Sequence, residues 1–196
     1  MASNPKTFLT PEEYLAIERQ ADYKSEYWNG EMFAMVGASR KHNLIATNVV
    51  IELGLQLKRK PCELYNNDMR VRIPATGLYT YPDVTVVCGE PQFEDQQVDT
   101  LLNPLLIVEV LSASTQNYDR GQKFSNYRTI ESLAEYLLIS QNEYRIEQSV
   151  KQADGRWLLT DIRTLEGVVE LASIPCQLAL REVYDKVSLS DSQVLP

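Results

Sequence analysis

Asp83, Glu109 and Lys123 are the residues of this chain whose types and surroundings could combine into chemistry. Asp83 follows Tyr81-Pro82 into a Val-rich segment, and Glu109 lies inside Leu105-Leu106-Ile107-Val108-Glu109-Val110-Leu111. Both acids therefore stand where their neighbours spell buried strand, and a buried carboxylate without a partner costs several kcal/mol or takes up a proton. Two compensations are open. One is an internal ion pair, Glu109 with Lys123 or Asp83 with an arginine. The other is a divalent cation flanked by the lysine. Magnesium suits the second, because it is usually held by one or two carboxylates, with water and substrate phosphate completing its shell. Such an ion polarises a phosphodiester and helps to make hydroxide from water, and Lys123 would orient or help deprotonate that water.

Further candidates surround this set. Tyr127 follows Lys123 by one helical turn and shares its face. Glu31 is either a surface strand residue or a third carboxylate, since alternation puts it with Phe33 and Met35 on one face. His42, in the first turn of a helix, is either a satisfied structural histidine or an anion contact at a helix N-terminus. Arg70 and Arg72 form the charged side of an alternating run with Met69, Val71 and Ile73, which is a solvated face or a pair of phosphate contacts.

The elements that must position these residues are partly written in the chain. Thr10-Pro11-Glu12-Glu13 is a capping box that opens a short helix to about Gln20. Asn29-Gly30 between apolar runs predicts a hairpin. Ser39 caps a helix running to about Lys60, with His42, Ala46, Val49 and Leu53 on its core face. Cys62 to Ile73 reads as one strand and Tyr81 to Cys88 as the next, with Asp83, Thr85 and Val87 on one face. Gly89 to Asn103 is an acidic exposed loop. Leu105 to Leu111 is apolar throughout except for Glu109, as a central strand covered on both faces would be. A helix from about Asp119 to Ile130 carries Lys123, and Glu135 to Ser140 is another strand. Asp154-Gly155 turns a second hairpin, followed by a strand over Gly167 to Leu171 and a short helix over Leu178 to Val187.

Composition removes several alternatives. The 196 residues, 44% of them apolar, suffice for one domain with a full core. That domain is expected to have its core at about 39–140, a C-terminal extension at about 141–188 and a frayed tail over 189–196. The single histidine leaves too few imidazoles for a zinc finger or a paired-histidine nuclease, and there is no Gly-x-Ser-x-Gly elbow for a serine triad. Cys62, Cys88 and Cys176 are odd in number and widely spaced, so they are expected to be reduced core thiols. No apolar run approaches the roughly 20 residues that span a bilayer, and the polar start Met1-Ala2-Ser3-Asn4-Pro5-Lys6 lacks a signal-peptide core. A cytoplasmic protein with no membrane partner is the expectation. The net charge of -8 argues against a protein that coats nucleic acid, although a local basic groove is compatible with it.

Four blocks, taken in order, carry a resemblance. They are Asp68-Met69-Arg70-Val71, Tyr79-Thr80-Tyr81-Pro82-Asp83-Val84, Leu106-Ile107-Val108-Glu109-Val110-Leu111-Ser112, and Tyr118-Asp119-Arg120-Gly121-Gln122-Lys123-Phe124 with Tyr127. From about Pro11 to Tyr184 the chain resembles the Uma-two family, of the PD-(D/E)XK superfamily. The resemblance implies a restriction-endonuclease-like α/β fold, with a central mixed sheet flanked by helices and with an N-terminal helix and hairpin and a C-terminal hairpin added. It also implies a metal-dependent endodeoxyribonuclease that uses Mg2+, or Mn2+ as substitute, on DNA. Asp83 and Glu109 would be its metal ligands and Lys123 the third catalytic residue. The chain departs from the superfamily pattern at Leu111, where a lysine is expected two residues after the glutamate; Lys123 on the next helix would take its place. A homodimer is expected from base rates and from the pairing habit of related folds. The competing reading is a catalytically silent scaffold for protein association or regulation. A small-molecule hydrolase has no nucleophile motif behind it.

Overall fold

Strand Leu106–Leu111 (β8) is buried at every position and lies inside a six-stranded mixed sheet. In this computed structural model, which describes residues 8–112 and 115–189, the helices are Pro11–Glu18 (α1), Arg40–Leu57 (α2), Gln116–Tyr118 (α3), Phe124–Tyr127 (α4) and Leu180–Val183 (α5). The polar start Met1 to Lys6 and the expected tail beyond Leu189 lie outside the described residues. The strands up to the central one are Ser25–Trp28 (β1), Glu31–Ala34 (β2), Cys62–Asn66 (β3), Arg70–Ile73 (β4), Leu78–Thr80 (β5), Val84–Cys88 (β6) and Thr100–Leu101 (β7). After β8 come Glu135–Ser140 (β9), Ile146–Lys151 (β10), Trp157–Ile162 (β11), Val168–Glu170 (β12) and Gln177–Ala179 (β13).

The first sheet has the order β11-β10-β9-β8-β6-β3, the second β2-β1-β5-β4-β7, and β12 pairs with β13. β8 runs parallel to β9 and antiparallel to β6. This is the mixed α/β architecture expected, with helices on the flanks of the sheets. Alternation along β8 divides the core. Leu106, Val108 and Val110 pack with Ile45, Val49, Leu53 and Leu57 of α2, whereas Ile107 and Leu111 join Val71, Ile73 and Leu78 of the second sheet and Tyr127 and Tyr136. Each buried aliphatic side chain contributes roughly 1.5–3 kcal/mol. Glu109 falls between Ile107 and Leu111, so it points into the space between the sheets.

Four sequence expectations need correction. Cys62 to Ile73 is not one strand: β3 and β4 belong to different sheets, and the main chain turns between them, with Met69 N donating to Asn66 O at 3.2 Å. Tyr81 to Cys88 divides in the same way. β5 lies in the second sheet and β6 in the first, and Pro82, which cannot donate to a ladder, sits where the chain crosses over. The Gly89 to Asn103 segment is not simply an exposed loop, because Thr100 and Leu101 are buried as β7, parallel to β4. The expected helix over Leu178 to Val187 is also shorter, because Gln177–Ala179 is strand β13 and only Leu180–Val183 is helical; two local signals were read correctly. Thr10 and Glu13 form the reciprocal capping box, and Asn29 and Gly30, with φ of 50° and 84°, make the primed hairpin turn between β1 and β2.

The cysteine expectation also fails in part. Cys62 and Cys88 stand opposite each other on antiparallel β3 and β6 and form a disulfide, while Cys176 is a buried free thiol. Their distance of 26 residues in sequence conceals a direct cross-strand register.

Candidate functional site

Asp83 precedes β6 by one residue, and Val84 pairs with Val108, so continuing the antiparallel register puts Asp83 opposite Glu109. Asp83 Oδ2 accepts a hydrogen bond from Val110 N at 2.7 Å. His42 Nε2, from the first turn of α2, lies 3.2 Å from the same oxygen. Ser39 caps that turn by accepting from His42 N at 3.1 Å, which fixes where the imidazole starts. Burial alone would lower the His42 pKa. The hydrogen bond to Asp83 and the charges of Asp83 and Asp119 outweigh it and raise the value above 6.5.

Glu109 Oε1 is held from the other side. Tyr127 OH donates to it at 2.7 Å, and Lys123 Nζ is 2.9 Å away. The lysine arrives through a π-helical stretch, Asp119–Lys123, inserted between α3 and α4. The wider turn buries Asp119 and Lys123 together, and such insertions in helices are frequent at functional sites. Lys123 Nζ also lies 3.1 Å from Glu26 Oε1 and 3.8 Å from Asp119 Oδ1. Glu26, on β1, accepts in addition from the Thr80 hydroxyl of β5. The site is thus assembled from both sheets and the helical segment.

Its electrostatics are dominated by acid. Four carboxylates, of Glu26, Asp83, Glu109 and Asp119, meet one ammonium and one imidazole. Burial pushes Glu109 up to about 8; Lys123 pulls it down, but the charges of Asp83 and Asp119 add to the rise. Asp119 is likewise raised by burial. For Lys123 burial works downward, yet Glu109, Glu26 and Asp119 hold it well above 10.5.

The structure brings Asp83, Glu109, Lys123, His42 and Tyr127 together. Leu111 is a core residue, and the ammonium that the superfamily pattern puts there reaches Glu109 from Lys123 instead. Glu31 stands opposite Trp28 on β2, two pairs further along the hairpin than Glu26, which pairs with Phe33. Glu26, rather than Glu31, meets the lysine. Arg70 and Arg72 go elsewhere. Arg70 is 3% exposed and binds Thr100 Oγ1 and Tyr81 OH, each at 2.9 Å, and Asp99 at 2.9 Å, so it is not on a solvated, phosphate-facing surface. Arg72 pairs with Glu94.

The sequence profile of the family described as "Putative restriction endonuclease" matches residues 11–182. The chain belongs to this Uma2 family. Two relatives from Synechocystis sp. (strain ATCC 27184 / PCC 6803 / Kazusa) are similar over most of their length. The uncharacterized protein sll1609 is 43% identical over 84% of this chain and 93% of its own, and the uncharacterized protein slr1290 is 37% identical over 93% and 94%. Among solved structures, a putative nuclease belonging to DUF820 from Anabaena variabilis ATCC 29413 superposes with a TM-score of 0.76, covering 92% of this chain and 99% of that one at 15% identity. That likeness shows the restriction-endonuclease-like fold. Glu26 and Asp119 are the members of this cluster that reasoning from sequence missed. Asp119 stood four residues before Lys123 and was legible by helical spacing; Glu26 was not, because only the pairing of β1 with β5 carries it inward.

A magnesium ion is what the nuclease fold would imply here, and the donors can be tested against it. Among the described residues no three His, Cys, Asp or Glu side chains are grouped to hold a metal. Magnesium needs only one or two protein carboxylates, which Asp83 and Glu109 supply as hard oxygen donors. The excess of buried carboxylate over cation is the imbalance that a divalent ion would correct. The residues present fit the ion.

Proposed function

We propose that this Uma2 protein is a magnesium-dependent endonuclease that hydrolyses phosphodiester bonds in DNA, with Mn2+ as a substitute ion. The observation that carries the reading is the convergence of Asp83 and Glu109 beside a lysine that only the fold brings to them. Asp83 and Glu109 would hold the ion, which when bound supplies charge neutralisation at the phosphate and a more acidic water. Val110 N and His42 fix Asp83, while Tyr127 fixes Glu109. Lys123, kept protonated by its acidic neighbours, orients the attacking water by donating to it and offsets charge developing on the phosphate.

A catalytically silent scaffold is the second reading. It is supported by the net charge of -8 and by the ion pairs that Lys123 already makes with Glu109 and Glu26. Plasmid and single-stranded DNA, incubated with purified protein and magnesium or manganese, separate the two. Wild type is expected to cut, and Asp83→Ala and Lys123→Ala to lose activity by at least about a hundredfold, in line with the loss of one charge-stabilising group. Equal trace cutting by all three proteins would remove the nuclease reading and leave the scaffold.

A further inference from the structure

A cavity of about 320 Å³ opens beside the site, lined by Glu26, Trp28, Phe33, Leu78, Tyr118 and Gln122. Its walls follow from two local periodicities. In the β1–β2 hairpin Glu26 pairs with Phe33 and Trp28 with Glu31, so Glu26, Trp28 and Phe33 share one face. On the helical segment Tyr118 and Gln122 are four residues apart and so lie along one side, next to Lys123. Leu78 adds an apolar wall from β5. Glu26 belongs to both places, because it lines the cavity and contacts Lys123 at 3.1 Å. Tyr118 does so too, since the Lys123 ammonium is 6.0 Å from the centre of its ring.

Resting on the nuclease reading, we infer that this cavity takes an unstacked nucleobase next to the phosphate at Asp83 and Glu109, so that the substrate is single-stranded or locally unpaired DNA. A phosphate is the wrong occupant, because the cavity offers a carboxylate and no cation of its own among its lining residues. A flat neutral ring is the right one. Trp28, Phe33 and Tyr118 provide faces for stacking, which tolerates any base, and the Gln122 carboxamide can donate to or accept from a base edge. Bases inside a duplex have their faces covered and cannot enter; only a displaced or single-stranded base can. The volume suits one small ligand group and not a double helix. This also accounts for a nucleic-acid site on a chain of net charge -8, since stacking supplies affinity that phosphate neutralisation would otherwise have to provide.

The test uses Trp28 as its own reporter. Trp157→Phe leaves Trp28 as the single tryptophan of the chain. This protein is titrated with a thymidine oligonucleotide and with a blunt duplex of equal length, in EDTA so that neither is cut. The single strand is expected to quench Trp28 emission and the duplex to leave it unchanged. Phe33 is 48% exposed, so Phe33→Ala should fold normally; it is expected to raise Kd for the single strand about tenfold, and Phe33→Tyr to restore it. An unchanged Kd in Phe33→Ala, or equal quenching by duplex, overturns the inference. The plasmid assay keeps the two ideas apart. Cutting that depends on Asp83 with no effect of Phe33→Ala retains the nuclease and removes the base pocket; the reverse result retains a single-strand-binding pocket on a silent site.

Discussion

Glu109 has two neighbours that donate to it and two that repel it, and this asymmetry governs what substitutions there should do. Tyr127 and Lys123 bind the same oxygen, while the charges of Asp83 and Asp119 oppose ionisation. Glu109→Gln keeps an acceptor for Tyr127 and takes one ionisable acid out of an over-acidic cluster. Lys123 still has Glu26 and Asp119. The metal-free variant is therefore expected to melt within about a degree of wild type or slightly above it, because a buried ion pair adds little net stability. Magnesium is expected to raise the wild-type melting temperature by mass action and to have no effect on Glu109→Gln. Thermal melts with and without the ion check both points, and a shift of equal size in the two proteins would place the metal elsewhere. Lys123→Met is expected to behave oppositely. It leaves three carboxylates around an apolar side chain and should cost roughly 3–5 kcal/mol in urea unfolding at neutral pH.

At the scale of elements, two devices differ in how visible they are from sequence. The π-helical stretch Asp119–Lys123 aims two side chains inward, yet its sequence reads as ordinary helix, since Asp119, Lys123 and Tyr127 recur at helical spacing whichever turn they adopt. Gly121 sits in its middle, and a Cβ added there would meet nothing within 4 Å. Gly121→Ala is thus expected to stabilise the segment by about 0.5–1 kcal/mol through reduced freedom of the unfolded chain, measured by urea unfolding. The second device is the clasp of Arg19, at the end of α1, on Asp95 and Asp99 of the acidic segment, each at 2.8 Å. The Arg19 hydrogen bond is the chief reason that Asp99 is held well below the usual carboxylate range; burial opposes it, and the Arg70 charge assists. A depressed folded pKa stabilises the protein fully above the unfolded value of 3.8, and that contribution is lost as pH falls below it. Wild type is expected to be more stable than Asp99→Asn at neutral pH, and the two melting curves to converge as the pH drops below 3.8. The sequence reads this segment as an exposed loop because it is polar and acidic; the partner of Asp95 and Asp99 lies about 80 residues away in sequence, at Arg19.

For the whole molecule, local rules were the legible part. Caps, the Asn29-Gly30 turn, the helical stripe of α2 and the buried run around Glu109 follow from short-range preferences, and the site residues Asp83, Glu109 and Lys123 stood out as charges misplaced in those patterns. Partition between two sheets was not legible, because the exchanges at Asn66 to Met69 and at Tyr81 to Asp83 depend on which distant strand accepts each ladder. The same long-range pairing hid the Cys62–Cys88 disulfide. That bond joins β3, at the edge of the six-stranded sheet, to β6, the strand that leads out from Asp83. It closes a loop of 26 residues that contains β4, β5 and the crossover to the site. Closing a loop of that size restricts the unfolded chain enough to contribute about 3 kcal/mol. The protein denatured without reductant is therefore expected to show one titratable thiol, Cys176, and three after reduction. Cys62→Ser/Cys88→Ser should unfold at lower urea than the oxidised wild type, and reductant should bring wild type down to the double variant. Three thiols before reduction would mean that the ladder between β3 and β6 holds this edge without the covalent link.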